Sequence, residues 1–172
     1  MKVQDIMNYP AVCCTPETNV GAADELMWKH NCGILPVLGA AGTVEGVITD
    51  RDICIAMGTR NRLPGDLSVG EISSKKAYTC RPDEEIHEAL ETMATQRVRR
   101  LPVVDEQGGP SGILSMEDIL LHADLNKWEG CCELSSEEVI RSLKRLHYQQ
   151  FPLLHLRNRT ATTGSSGPGR TH

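Results

Sequence analysis

An internal repeat limits what this chain can fold into more than any other feature of its sequence. Displaced by 66 positions, residues 3–53 fall on residues 69–119 without a gap, and 15 of the 51 pairs are identical. A whole tripeptide recurs, Leu35-Pro36-Val37 over Leu101-Pro102-Val103, as do single residues such as Cys14 over Cys80, Pro16 over Pro82 and Asp52 over Asp118. Matching of that density marks a duplication, so the chain holds two copies of whatever one copy folds into.

Each copy carries the same order of patterns. A helical lead-in (residues 3–7 and 69–73) precedes a short strand (11–14 and 77–80), which a proline ends because it removes a ladder donor. An amphipathic helix follows. Its apolar residues recur at three- and four-residue spacing, as Val20, Ala23, Met27 and Cys32 in one copy and Ile86, Ala89, Leu90 and Met93 in the other. Apolar strands at 35–38 and 101–104 turn through glycine-containing stretches into strands at 44–48 and 111–114, a hairpin in each copy. A second helix begins at Thr49 or Ser115. One β-α-β-β-α unit of this size buries too little apolar surface to stand alone. The expected fold is therefore α/β: two such repeats packed sheet to sheet with pseudo-twofold symmetry and two related clefts, plus a C-terminal helix and a flexible tail. This places repeat 1 over residues 1–57, a connector with Gly58, Pro64 and Gly65 over 58–68, and repeat 2 over 69–122. A C-terminal extension fills 123–159 and a disordered tail 160–172.

Composition excludes several classes. With 40% hydrophobic but only 3% aromatic residues in 172, the core has to be aliphatic. The formal net charge of −5 divides into −11 over residues 1–138 and +6 over residues 139–172. An acidic body disfavours nucleic acid as a partner, and a basic tail without interleaved stacking aromatics does not reverse that. No apolar run approaches the roughly 20 residues that span a bilayer, so no membrane partner is expected. The start, Met1-Lys2-Val3-Gln4-Asp5, lacks the apolar core of a secretory signal, which makes the cytoplasm the expected location. Of seven cysteines, Cys13, Cys14, Cys32, Cys54 and Cys80 read as small buried thiols of a reducing compartment.

Where the last strand of each copy meets its last helix stand Gly46-Val47-Ile48-Thr49-Asp50-Arg51-Asp52 and Gly112-Ile113-Leu114-Ser115-Met116-Glu117-Asp118. The hydroxyl sits where a helix begins and free N–H groups point outward, a natural anion site. A carboxylate one turn on can accept two hydrogen bonds from a vicinal diol such as ribose, and the glycine permits close backbone approach. Thr-x-x-Asp is equally an N-cap with an acid in the first turn, which serves the helix without any ligand. Recurrence of the whole pattern at identical spacing favours a site.

The duplicated Leu-Pro-Val and Gly-h-h-[Thr/Ser]-x-x-Asp-Ile pattern (h, aliphatic) resembles a tandem pair of CBS (cystathionine β-synthase) domains, the Bateman module, over residues 1–122. The resemblance implies a regulatory module without catalytic activity or a required cofactor. It binds adenosyl ligands (AMP, ADP, ATP, S-adenosylmethionine or NAD) in the clefts between repeats, forms a homodimeric disc through its helices and signals to a protein partner. In that family one repeat gives the ribose carboxylate, and the first two strands of the other give most base and phosphate contacts. Carried onto this sequence, the cleft of Thr49 and Asp52 receives Tyr78 and Thr79, with Arg99 and Arg100 just ahead of Leu101. The cleft of Ser115 and Asp118 receives Val12 and Cys13, with Gly33 and Ile34 where the arginines stand in the other. Arginine forks suit phosphate. The Asp52 cleft is therefore expected to be the better nucleotide site, and the Asp118 cleft to be weak, empty or suited to a less charged ligand. The plainer alternative makes Arg97, Arg99 and Arg100 a solvated edge that pairs with the acidic body.

Other features carry less. Cys131-Cys132 lacks the Cys-x-x-Cys spacing of a zinc site, and no catalytic motif occurs. Ser135 and Glu138 form a capping box that starts a helix with Val139, Ile140, Leu143 and Leu146 as its apolar stripe. That helix is expected to pack on the repeats. The competing function is a ligand-independent interaction or dimerisation module that uses the basic C-terminal extension.

Overall fold

The computed structural model describes residues 1–125 and 134–148. The elements run α1 (Val20–Lys29), β1 (Ile34–Leu38), β2 (Val44–Thr49), α2 (Asp50–Arg60), α3 (Val69–Ile72), α4 (Ile86–Gln96), β3 (Arg100–Val104), β4 (Pro110–Ser115), α5 (Met116–Leu125) and α6 (Ser136–Tyr148). The two hairpins are superposable in register. Leu35 faces Ile48 and Val37 faces Gly46 in β1–β2, and Leu101 faces Leu114 and Val103 faces Gly112 in β3–β4. Their turns need a left-handed residue, which Gly42 (φ +77°) and Gly108 (φ +83°) provide.

The expected first strand of each repeat shrinks to one parallel bridge, Cys14 to Val37 and Cys80 to Val103. Cys14 N–H donates to the Pro36 carbonyl and Leu38 N–H to the Cys14 carbonyl. The next rung needs a donor from residue 36, and proline has none. Pro102 stops the second copy in the same way. Two smaller differences concern helix ends. Helix α1 stops at Lys29, leaving Cys32 beyond it, and α2 runs past Gly58 to Arg60, where left-handed Asn61 ends it.

The lead-ins cross over. Val3 and Ile6 are buried in the core of the second repeat with Ile86, Leu101 and Leu114, while Leu67 and Val69 are buried in the first with Val20, Leu35 and Ile48. Val3 N–H donates to the Glu84 carbonyl, Asn8 and Ile113 exchange two backbone hydrogen bonds, and Ser74 N–H donates to the Val47 carbonyl. The crossing also explains the motif glycines. A Cβ at Gly46 would collide with the Ser74 carbonyl oxygen, and one at Gly112 would stand 2.8 Å from the Asn8 carbonyl oxygen. Close backbone approach is what these glycines permit, and the approaching backbone is the other repeat's lead-in.

Helix α6 packs on the second repeat. Leu134, Val139 and Leu146 join its core, and Ser135 and Glu138 form the expected capping box. Arg145 adds a fork onto Glu91 of α4, at 2.5 and 2.9 Å, which holds the Glu91 carboxyl below its ordinary value.

The cysteines divide. Burial pushes the Cys14 and Cys80 thiols up to about 12, and both are inert as nucleophiles at neutral pH. Cys13 and Cys32 are half-buried, and Cys54, expected inside, is exposed because α2 turns its neighbours Ile53 and Ala56 inward instead. Brief iodoacetamide treatment of the native protein at pH 8, followed by peptide mass mapping, should alkylate Cys54 and spare Cys14 and Cys80 until the chain is unfolded. Equal labelling of all three would contradict this packing.

Candidate functional site

Two cavities lie between the repeats. The first, ≈ 560 Å³, is within the size range of small-molecule sites. Thr49, Asp50 and Arg51 line it from the start of α2, and Ser74, Lys76 and Tyr78 from the segment entering repeat 2. Arg97, Arg99 and Arg100 come from the α4–β3 junction, and Leu146 comes from α6. Among the described residues five permanent cations thus line this cavity with one carboxylate, Asp50. Arg97 and Arg99 are exposed and form no ion pair among the described residues, whereas Arg100 lies 3.9 Å from Glu117, so of the three only Arg100 pairs with the acidic body. Arg97 ends α4 with φ +58°, a left-handed conformation that Asn31 adopts at the equivalent place after α1. Lys76 Nζ sits 4.8 Å from the Tyr78 ring centroid.

The second cavity, ≈ 600 Å³, is lined by Asn8 to Val12, by His30 to Ile34, and by Arg100, Ile113, Ser115, Glu117 and Asp118. Glu117 and Asp118 give it an acidic wall where Arg51 and the arginine pair make the first one basic. Burial raises the Cys32 thiol there, offset in part by the Ile34 backbone N–H and by the charge of Arg100.

Both motif acids cap their helices. Thr49 N–H and Oγ1–H donate to Asp52 Oδ2 at 3.0 and 2.6 Å, and Asp52 N–H donates back to Thr49 Oγ1 at 3.2 Å. Ser115 and Asp118 repeat this at 2.8, 2.6 and 3.1 Å. Each box stabilises its helix start by about 1 kcal/mol and uses only one carboxylate oxygen. The second oxygen differs between copies. Asn8 Nδ2–H donates to Asp118 Oδ1 at 2.8 Å, whereas Asp52 Oδ1 takes no hydrogen bond among the described residues. Ser74, which stands at the place equivalent to Asn8, bonds instead to the Val47 backbone.

Of the residues singled out from the sequence, Thr49, Tyr78, Arg99 and Arg100 line the first cavity, and Val12, Ser115 and Asp118 line the second. Asp52 lines a smaller recess beside α2 with Ile55 and Ile72, and Thr79 and Cys13 line neither cavity. Lys76 was missed because it stands just ahead of the 77–80 stretch read as a strand, two residues before Tyr78. Leu146 and Asn8 carry no local signal. Cys131 and Cys132 lie outside the described residues, among which no group of His, Cys, Asp and Glu is arranged to hold a metal ion. No helix among them is long and apolar enough to cross a membrane.

Fold and clefts define a tandem-repeat α/β module with two pseudo-symmetric cavities either side of a shared wall. The chain belongs to the CBS domain family, whose pattern matches residues 3–58 and 69–124. It is similar to the CBS domain-containing protein YhcV of Bacillus subtilis, 31% identical over 74% of this chain and 89% of that one. Hypoxic response protein 1 of Mycobacterium tuberculosis is 33% identical over 69% of this chain and 82% of its own length. Among solved structures, the CBS domain pair of protein MJ0100, in complex with 5′-methylthioadenosine and S-adenosyl-L-methionine, aligns with a TM-score of 0.63 at 27% identity, over 69% of this chain and 92% of that one.

Proposed function

We propose that this protein is a regulatory, non-catalytic sensor of an anionic adenine nucleotide of the AMP, ADP or ATP type. The nucleotide lies in the first cavity, with Arg99 and Arg100 on its phosphate, Tyr78 against its base and Thr49, held by Asp52 from the neighbouring recess, at its ribose. Thr79 is assigned to the edge of this first cleft, and Ser115, Asp118, Val12 and Cys13 to the second, weaker one. The observation that carries this reading is the cationic wall of the first cavity, where Arg51, Lys76, Arg97, Arg99 and Arg100 outnumber the carboxylate of Asp50. An excess of like charge around one cavity is electrostatically costly alone and complementary to phosphate. The adenosyl compounds in the MJ0100 pair support the class of ligand.

Occupancy would be passed on through α6, because Leu146 both lines this cavity and belongs to the second core. A ligand that contacts Leu146 binds the docked and undocked helix unequally, which is the condition for shifting that equilibrium. Exposed Trp28 on α1, Ile55 on α2 and Leu121 on α5 support dimerisation through the helices.

Thermal denaturation with and without AMP, ADP and ATP tests the reading. A ligand at 100 times its Kd should stabilise the fold by about 2.7 kcal/mol, a rise in Tm of roughly 5–10 °C for a chain of this size. No rise with any adenosyl compound would favour instead a ligand-independent interaction module, for which exposed Arg141 and Lys144 on α6 are the docking cations.

A further inference from the structure

The wall between the cavities is made by one pair of equivalent positions. Ile34 and Arg100, 66 residues apart, each line both cavities. Only the second copy places a charge there. Arg100 Nη2 lies 3.9 Å from Glu117 Oε1 in the second cavity. Its Nη1 lies 3.8 Å from the point where a Cβ on Gly33 would stand, and Asp50 Oδ2 from the first cavity lies 3.0 Å from that same point. Gly33 thus leaves open the space into which the guanidinium and Asp50 both reach.

The repeat also sets opposite charges at another equivalent pair, Arg51 in the first cavity and Glu117 in the second. Arg100 is therefore one of several cations for the first cavity and, among the described residues, the one Lys or Arg lining the second. A single guanidinium cannot neutralise a phosphate on one side and Glu117 on the other at once.

We propose that Arg100 is a shared binding residue that makes occupancy of the two cavities mutually dependent. A phosphate in the first cavity draws the guanidinium from Glu117. The second cavity then presents Glu117 and Asp118 without a counter-charge, excludes a second anion and favours a neutral or cationic adenosyl ligand. By linkage, whatever holds Arg100 against Glu117 weakens the first site by the same factor. This proposal rests on the reading of the clefts as adenosyl sites.

Isothermal titration of AMP into the native chain and into Glu117→Gln, each also in an Arg100→Gln background, tests it. The native chain should bind one AMP. Glu117→Gln should bind AMP about two to five times more tightly, the range expected for release from a partly exposed ion pair. That gain should vanish in the Arg100→Gln background, where Arg51, Lys76, Arg97 and Arg99 keep binding measurable. Equal affinity in native and Glu117→Gln overturns the coupling and leaves the adenosyl reading standing. A gain that survives Arg100→Gln also overturns it, because Glu117 would then act by its charge alone. Absence of AMP binding in every form overturns both readings together.

Discussion

Replacing Arg99 by alanine should weaken binding of AMP by about ten- to a hundredfold, the effect of removing one charge-assisted hydrogen-bonding group from a phosphate site. Arg99 suits this test because it is exposed, belongs to neither core and pairs with no acid among the described residues, so its loss leaves the fold intact. The companion pair separates the clefts. Asp52→Ala should cost a similar factor, since Asp52 Oδ2 holds Thr49, which lines the first cavity, while Oδ1 takes no hydrogen bond among the described residues. Asp118→Ala should change AMP affinity less than threefold, because Asn8 already occupies the equivalent oxygen. Both substitutions remove the same capping box, which makes each the other's control for stability. Calorimetric titration decides the matter: loss with Asp118→Ala and retention with Asp52→Ala would move the nucleotide to the second cleft.

A chain lacking residues 1–8 should lose roughly 3–6 kcal/mol of stability, from two buried aliphatic side chains at about 1.5–3 kcal/mol each. Those side chains are Val3 and Ile6, 0% and 7% exposed, and the core they leave is that of the second repeat. The loss is large against the 5–15 kcal/mol typical of a whole domain. Urea denaturation measures it, and amide exchange locates it. Ile113 N–H, which donates to the Asn8 carbonyl, should exchange faster, while the β1–β2 hairpin should keep most of its protection. A loss below about 1 kcal/mol, or faster exchange confined to the first hairpin, would contradict the crossing.

The crossing and the glycines show why part of this protein was legible from its residues and part was not. Hairpin register follows from the glycine turns at Gly42 and Gly108, whose equal place in the repeat sets Leu35 against Ile48 and Leu101 against Leu114. Helix starts follow from Thr49, Ser115 and Ser135, whose side chains answer local backbone donors. The duplication itself made the two-cleft plan readable. Each of these depends on residues within a few positions of one another, or on comparison of one copy with the other.

What the sequence by itself determined, then, is the pair of like α/β units, their family and the unequal charge of Arg99 and Arg100 against Gly33 and Ile34. Only the tertiary structure decided which backbone the motif glycines admit, that each lead-in completes the other repeat's core, and that α6 reaches the first cavity through Leu146. It also decided that Arg100 faces both cavities and that Asn8, 110 residues away in the chain, takes the free oxygen of Asp118. The physical reason is the same throughout. Local propensity and periodicity act through the backbone of one segment, whereas these contacts exist only after two distant segments have been brought together, and no residue carries the address of its partner.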